Sequence, residues 1–86
     1  MNPHDVVKYP LLTEKSMDRV DKNNELVFVV SMKANKNQIQ EAIEKIYAVK
    51  VQRVNTSIDT KGRKRAFVKL TKEFQAIDIM TKMGVI

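Results

Sequence analysis

Lys61-Gly62-Arg63-Lys64-Arg65-Ala66-Phe67-Val68-Lys69-Leu70-Thr71-Lys72 is the stretch from which the rest of this chain can be read. It starts as a glycine-containing turn and passes into strict alternation. Ala66, Val68 and Leu70 fall on one side, Arg65, Phe67 and Lys69 on the other. A period of two with one apolar side predicts a strand covered on a single face. Six of the twelve residues are Lys or Arg and none is acidic, so this segment accounts for the excess in a chain of net charge +6. A basic turn feeding a basic strand suits a polyanion, because each cation that neutralises a phosphate releases condensed counterions. The plain alternative is a solvated basic strand. The clustering of the charges, the lack of intervening acids and the close backbone approach that Gly62 permits favour contact with nucleic acid.

Upstream, Val49 and Val51 open another strand whose phase shifts before Val54, Thr56 and Ile58, which predicts a bulge at Gln52–Arg53. The turn Asp59–Gly62 joins the two strands into a hairpin. Asn35 and Gln38 have the spacing of a reciprocal helix cap, and Ile39, Ala42, Ile43, Ile46 and Tyr47 follow at helical intervals. Glu41 and Lys45 add a supporting i,i+4 pair on that helix. The nearly unbroken apolar run Leu26–Met32 predicts a strand that lies centrally or is covered on both faces. Lys22-Asn23-Asn24 is expected to be a turn. Thr13 is placed to cap a short helix carrying Met17 and Val20, with Glu14 against its positive end. Residues 1–10 are expected to form an arm, with Pro10 holding Tyr9 extended. Downstream, Thr71 is expected to cap a last helix with a stripe of Phe74, Ile77, Met80 and Met83, stopped by Gly84.

The expected order is helix, strand, helix, strand, strand, helix. It predicts an α+β fold: a small antiparallel sheet with helices packed on one face, of the split β-α-β, ferredoxin-like plait type. Arg65, Phe67 and Lys69 would then lie on the open side of the sheet. The 86 residues leave room for one core and are expected to form one domain.

Composition narrows the function. A hydrophobic content of 43% argues against a disordered basic tail, and a charged content of 30% argues against membrane insertion. The longest apolar run is far shorter than the ~20 residues that span a bilayer. The polar start Met1–Asp5 has no apolar signal core, and the simplest expectation is an intracellular protein. With no cysteine, neither a disulfide nor a Cys-based metal site is available. A pI near 9.7 points to nucleic acid or an acidic surface as partner.

Catalytic chemistry finds little support. His4 is the single histidine and is expected at the surface. The carboxylates are scattered beside Lys or Arg, and no nucleotide-binding glycine loop is present. Neither an enzyme nor a resident cofactor is expected. Arg53 and Asn55 give only a faint echo of a small acylphosphatase-type hydrolase on the same plait, which would need a glycine-rich cradle. Phe67 can stack on a base or pack beneath a helix, and Asn55 can be a bulge residue or a polar reader. Lys33 and Lys36 either extend the basic patch or decorate a helix start. A free-standing RRM-like single-strand RNA-binding module is the alternative reading. Ala66-Phe67-Val68 fits the middle of that motif, but Leu70 replaces its last aromatic and Gly62 stands too far upstream.

Two segments resemble one family closely. Tyr9-Pro10-Leu11-Leu12-Thr13-Glu14-Lys15-Ser16 is similar to the opening of the universal large-subunit ribosomal protein L-twenty-three family. Lys64-Arg65-Ala66-Phe67-Val68-Lys69-Leu70-Thr71 resembles its C-terminal signature. Tyr47–Val51 and Val54-Asn55-Thr56 match its usual pattern between them. The resemblance implies a ribosomal protein that binds large-subunit (23S) rRNA at the rim of the polypeptide exit tunnel, beside ribosomal protein L-twenty-nine. It also implies a docking site for the signal recognition particle, the protein-conducting channel and, in bacteria, a ribosome-bound chaperone. The family's docking position falls on Glu14. Lys15, Asn55, Arg63, Lys64 and Arg65 fall in segments that meet RNA, and Lys33, Lys36, Lys61, Phe67 and Lys69 complete the candidate interface. The short connection between Ile58 and Lys64 lacks the tunnel-reaching loop of bacterial members, and there is no long basic N-terminal extension of the eukaryotic kind. The archaeal form is the most similar.

Overall fold

The computed structural model describes residues 2–82, the side chains of Pro3 and His4 excepted. The surface position expected for His4 and the helix positions expected for Met83 and Gly84 lie outside the described residues. The elements are α1 (Pro3–Val6), β1 (Val7–Pro10), α2 (Glu14–Asn23), β2 (Glu25–Val30), α3 (Lys36–Tyr47), β3 (Val51–Ile58), β4 (Lys64–Leu70) and α4 (Ala76–Lys82). The strands form one antiparallel sheet in the order β1-β2-β4-β3. β4 enters between β2 and β3, which therefore run parallel across it, and α3 makes the crossover. This is the split β-α-β arrangement expected from the element order.

β2 is buried along its whole length. Its alternate residues Leu26, Phe28 and Val30 join Val54, Ala66, Val68 and Leu70 on one face of the sheet. Ile39, Ala42 and Ile43 of α3 close over that face. The Phe28 and Tyr47 rings meet there with centroids 5.8 Å apart. The Asn35 cap forms as its spacing requires: Gln38 N–H donates to Asn35 Oδ1 at 2.8 Å, and Asn35 N–H to Gln38 Oε1 at 3.0 Å. The register shift between Val51 and Arg53 is the expected bulge. Glu44 reaches from α3 to accept the Val51 N–H at 3.0 Å, which fixes the start of the strand beneath the helix.

Two expectations are corrected. Residues 2–10, the described part of the expected arm at 1–10, are packed against the sheet. Val6 and Val7 are buried, β1 pairs with β2, and Leu11 N–H donates to Val27 O at 2.9 Å. The reason is the outer edge of a fully buried strand: its backbone groups need partners, and an extended N-terminal segment supplies them. Pro10 is tolerated because an edge strand can do without one ladder donor.

The second correction concerns the last helix. Thr71 does not cap it, and its buried hydroxyl has no hydrogen-bond partner among the described residues. Residues 72–75 form turns and the helix begins at Ala76. Its stripe is rephased to Ala76, Ile79 and Met80, which leaves Ile77 exposed. The cap comes from far along the chain. Asn24 Oδ1 accepts the Ala76 N–H at 2.6 Å, and its Nδ2 donates to Phe74 O at 2.8 Å. Asn24 itself sits in the left-handed region at φ 54, where it ends α2. One residue thus ends one helix with its backbone and starts another with its side-chain amide. Thr13 does cap α2, in a reciprocal pair with Ser16. That helix straddles the sheet: Met17 and Val20 join the core, while Ser16 and Arg19 stand beside Val27 and Phe67 on the other face.

Asn24→Gly keeps the left-handed turn but removes the long-range cap, and is expected to cost ~1–2 kcal/mol in urea unfolding. Asn24→Ala should cost more, because alanine adds left-handed backbone strain of roughly 1 kcal/mol.

Candidate nucleic-acid interface

A strand that buries alternate residues must present the others on its opposite face. β4 therefore displays Arg65, Phe67 and Lys69 while Ala66, Val68 and Leu70 fill the core. Pairing sets their neighbours. Arg65 lies between Val29 and Ser57, Phe67 between Val27 and Asn55, and Lys69 between Glu25 and Arg53. Tyr9 on β1 stands opposite Val29 and extends the first of these rows. The face is less open than the alternation alone implies: Val27 and Val29 are buried, and Arg65, Phe67 and Lys69 are half-buried. Asn55 is exposed beside the Phe67 ring, past the bulge and not within it.

The hairpin is organised by Asp59, which the sequence places only as the first residue of the turn. Its Oδ1 accepts the backbone N–H groups of Lys61 and Arg63, each at 2.9 Å. Its Oδ2 takes the Nε of Arg63 at 2.9 Å and of Arg65 at 3.2 Å. Gly62 closes the turn at φ +80, with its N–H on Asp59 O at 3.0 Å. The backbone N–H of Arg63, then its guanidinium and the Lys61 N–H, hold the Asp59 carboxyl down at about 2, against an ordinary 3.8. Arg63 also reaches the Tyr9 hydroxyl at 3.5 Å, and its own pKa is raised by that hydrogen bond and by Asp59. The acid-free basic run is therefore partly neutralised by the acid just before it. The signal was available as an Asp at the head of a turn, four residues before an Arg.

The remaining candidates separate into groups. Lys64 shares the core-side phase of Ala66, so it is parted from Arg63 and Arg65. Its Nζ donates to Ala34 O at 2.6 Å, which brings it to the β2–α3 connection that carries Lys33 and Lys36, both exposed. Lys61 is exposed at the tip of the hairpin. These cations all lie at the end of the sheet where β4 begins and β2 finishes, because Val30 pairs with Lys64. Glu14 and Lys15 are exposed in the first turn of α2, and Lys15 borders a concavity shared with Arg65.

Phe67 is packed and not bare. The Arg19 guanidinium lies 4.7 Å from its ring centroid and is held at 3.4 Å by the buried Glu25. Arg19 was missed in the sequence, where only its i,i+4 spacing from Lys15 on α2 marks it. A helix side chain laid over the central aromatic argues against an RRM-like sheet, whose stacking rings must be free. Arg53 and Asn55 lie side by side on a strand with no phosphate cradle, so the hydrolase echo has no geometry behind it. Among the described residues no helix is long and apolar enough to cross a membrane.

The basic hairpin on this fold suits a nucleic-acid-binding protein, and the comparisons with known proteins supply the family. The family profile of ribosomal protein L23 matches residues 5–77. The large ribosomal subunit protein uL23 of the archaeon Methanothermobacter thermautotrophicus is 49% identical over 85 residues, covering 99% of each chain. The uL23 of Trypanosoma brucei brucei is 42% identical over 81 residues, 94% of this chain and 49% of its own length. This chain spans about half of that trypanosome relative. The chain belongs to the ribosomal protein L23 family, in its archaeal form. The family is structural and not enzymatic.

The Asp59 shift gives the hairpin a pH window. A carboxyl whose folded pKa is depressed contributes stability that is present above 3.8 and lost as pH falls through about 2. NMR signals of Lys61–Arg65 should therefore move together over that interval, and Asp59→Asn should abolish the transition. A hairpin that stays unchanged down to pH 2 would contradict this role for Asp59.

Proposed function

We propose that this chain is a structural constituent of the large ribosomal subunit that binds 23S rRNA at the rim of the polypeptide exit tunnel. The observation that carries the reading is the convergence of the β3–β4 hairpin with the β2–α3 connection. Arg63 and Arg65 stand on one side of the sheet end, Lys33, Lys36 and Lys64 on the other, with Lys61 at the tip. Two groups of cations flanking one rigid edge fit two converging RNA backbones better than a single straight duplex. Phosphate contacts of this kind fix position, and the shape of the folded RNA does most of the discrimination. The stiff, helix-backed sheet holds the cations in place, which lowers the entropy lost on binding.

The family resemblance supports a place beside ribosomal protein L-twenty-nine and a role in docking nascent-chain factors. These are the signal recognition particle and the protein-conducting channel, both bound transiently. Glu14 is the candidate docking residue, exposed in the first turn of α2. The connection from 59 to 63 is a tight turn, too short to serve as the tunnel-reaching loop of bacterial members.

Replacing Arg63, Lys64 and Arg65 together by Ala should leave the far-UV spectrum unchanged and lower rRNA affinity by ~100-fold or more at physiological salt. The slope of log affinity against log salt should fall by about 2–3, one increment for each phosphate contact removed. Unchanged affinity and slope would overturn the reading, and co-sedimentation with the large subunit after a high-salt wash tests it in the assembled particle.

A further inference from the structure

The concavity between α2 and the second face of the sheet adjoins the cation groups at the hairpin end and shares Arg65 with them. It encloses about 120 Å³ and is bordered by Lys15, Arg19, Val27, Arg65 and Phe67. That is well below the roughly 300–1,000 Å³ of sites that enclose a whole drug-sized ligand. It has room for one flat ring, with anything attached to the ring left outside. Its chemistry is that of a stacking site. The Arg19 guanidinium lies over Phe67 and is paired with the buried Glu25, so both partners bias its position before anything binds. An arginine plane ordered in this way stacks on π systems by its outer face. Leu11 and the buried Val27 give it an apolar lining, and the Thr13 and Ser16 hydroxyls that also border it are engaged in the α2 cap. At the rim, Lys15 is exposed, and Arg65 spends only its Nε on Asp59, leaving four donors of its fork.

From this geometry we infer that the concavity receives the base of a single unpaired nucleotide extruded from an RNA helix. The base stacks on the Arg19–Phe67 pair, and its flanking phosphates meet Lys15 and Arg65. The inference rests on the RNA-binding reading above and adds a recognition element to it. Stacking on an arginine plane over an apolar floor is tolerant of base identity, so the site selects an unpaired nucleotide and not a sequence.

The test uses two RNA hairpins that differ only in one bulged nucleotide, with 2-aminopurine at the bulge. The wild-type protein should bind the bulged hairpin about tenfold more tightly than the paired one and quench the 2-aminopurine on binding. In Arg19→Met and in Phe67→Leu the ratio of the two affinities should fall to about one and the quench should disappear. Melting curves of each variant identify any loss of fold, and Arg19→Met keeps the apolar stem that covers Phe67. Lys61→Ala with Arg63→Ala should weaken both hairpins and keep their ratio. Equal wild-type affinities, or a preference that survives in Arg19→Met, would overturn the inference and leave the rRNA reading standing. Failure of the wild type to bind either hairpin would overturn both.

Discussion

β4 cannot bury Ala66, Val68 and Leu70 without turning Arg65, Phe67 and Lys69 to the other side, and it is hydrogen-bonded on both edges. That pleat constraint governs the molecule. Pairing with β2 and β3 fixes the register of the central strand, and a slip by one residue would drive three large polar or aromatic side chains into the core. The apolar half of the strand stabilises the fold, and the same alternation makes the other half a chemically distinct surface. Stability and surface chemistry are therefore set by one segment.

Charge at the hairpin is arranged, not merely abundant. Asp59 draws Arg63 and Arg65 to itself and uses its second oxygen to cap the turn. Two guanidiniums that would otherwise repel are held at a fixed spacing around one carboxylate. The cost is a reduced local positive potential. The gain is a turn that meets its partner already ordered. Lys64 follows the opposite logic: it leaves its neighbours in sequence for the Ala34 carbonyl across the strand and joins Lys33 and Lys36. A run of cations contiguous in the chain is thus divided into two faces by the period of a strand.

Much of this is written locally. The α3 cap needs only Asn35 and Gln38, the bulge only the phase slip after Val51, and the hairpin only the alternation about Gly62. The split β-α-β class followed from the order of these elements. The division of Lys64 from Arg65 was also legible, since the phase that buries Ala66 assigns it. The buried β2 was readable too, from an apolar run with no polar alternation.

What the chain settled by itself is whatever depends on neighbours a few residues apart: caps, periods, turns and the sign of the charge. Tertiary structure decided the rest, because those choices depend on groups distant in sequence. Val7–Pro10 became β1 because β2 had an edge to fill, which no local pattern in Val6–Pro10 expresses. α4 began at Ala76 and not after Thr71 because Asn24, fifty-two residues earlier, offers its amide there. Arg19 lies over Phe67 because α2 crosses the sheet where Glu25 can hold it. A side chain's conformational choice is made by the partner that satisfies it, and only the folded chain brings those partners within hydrogen-bonding distance.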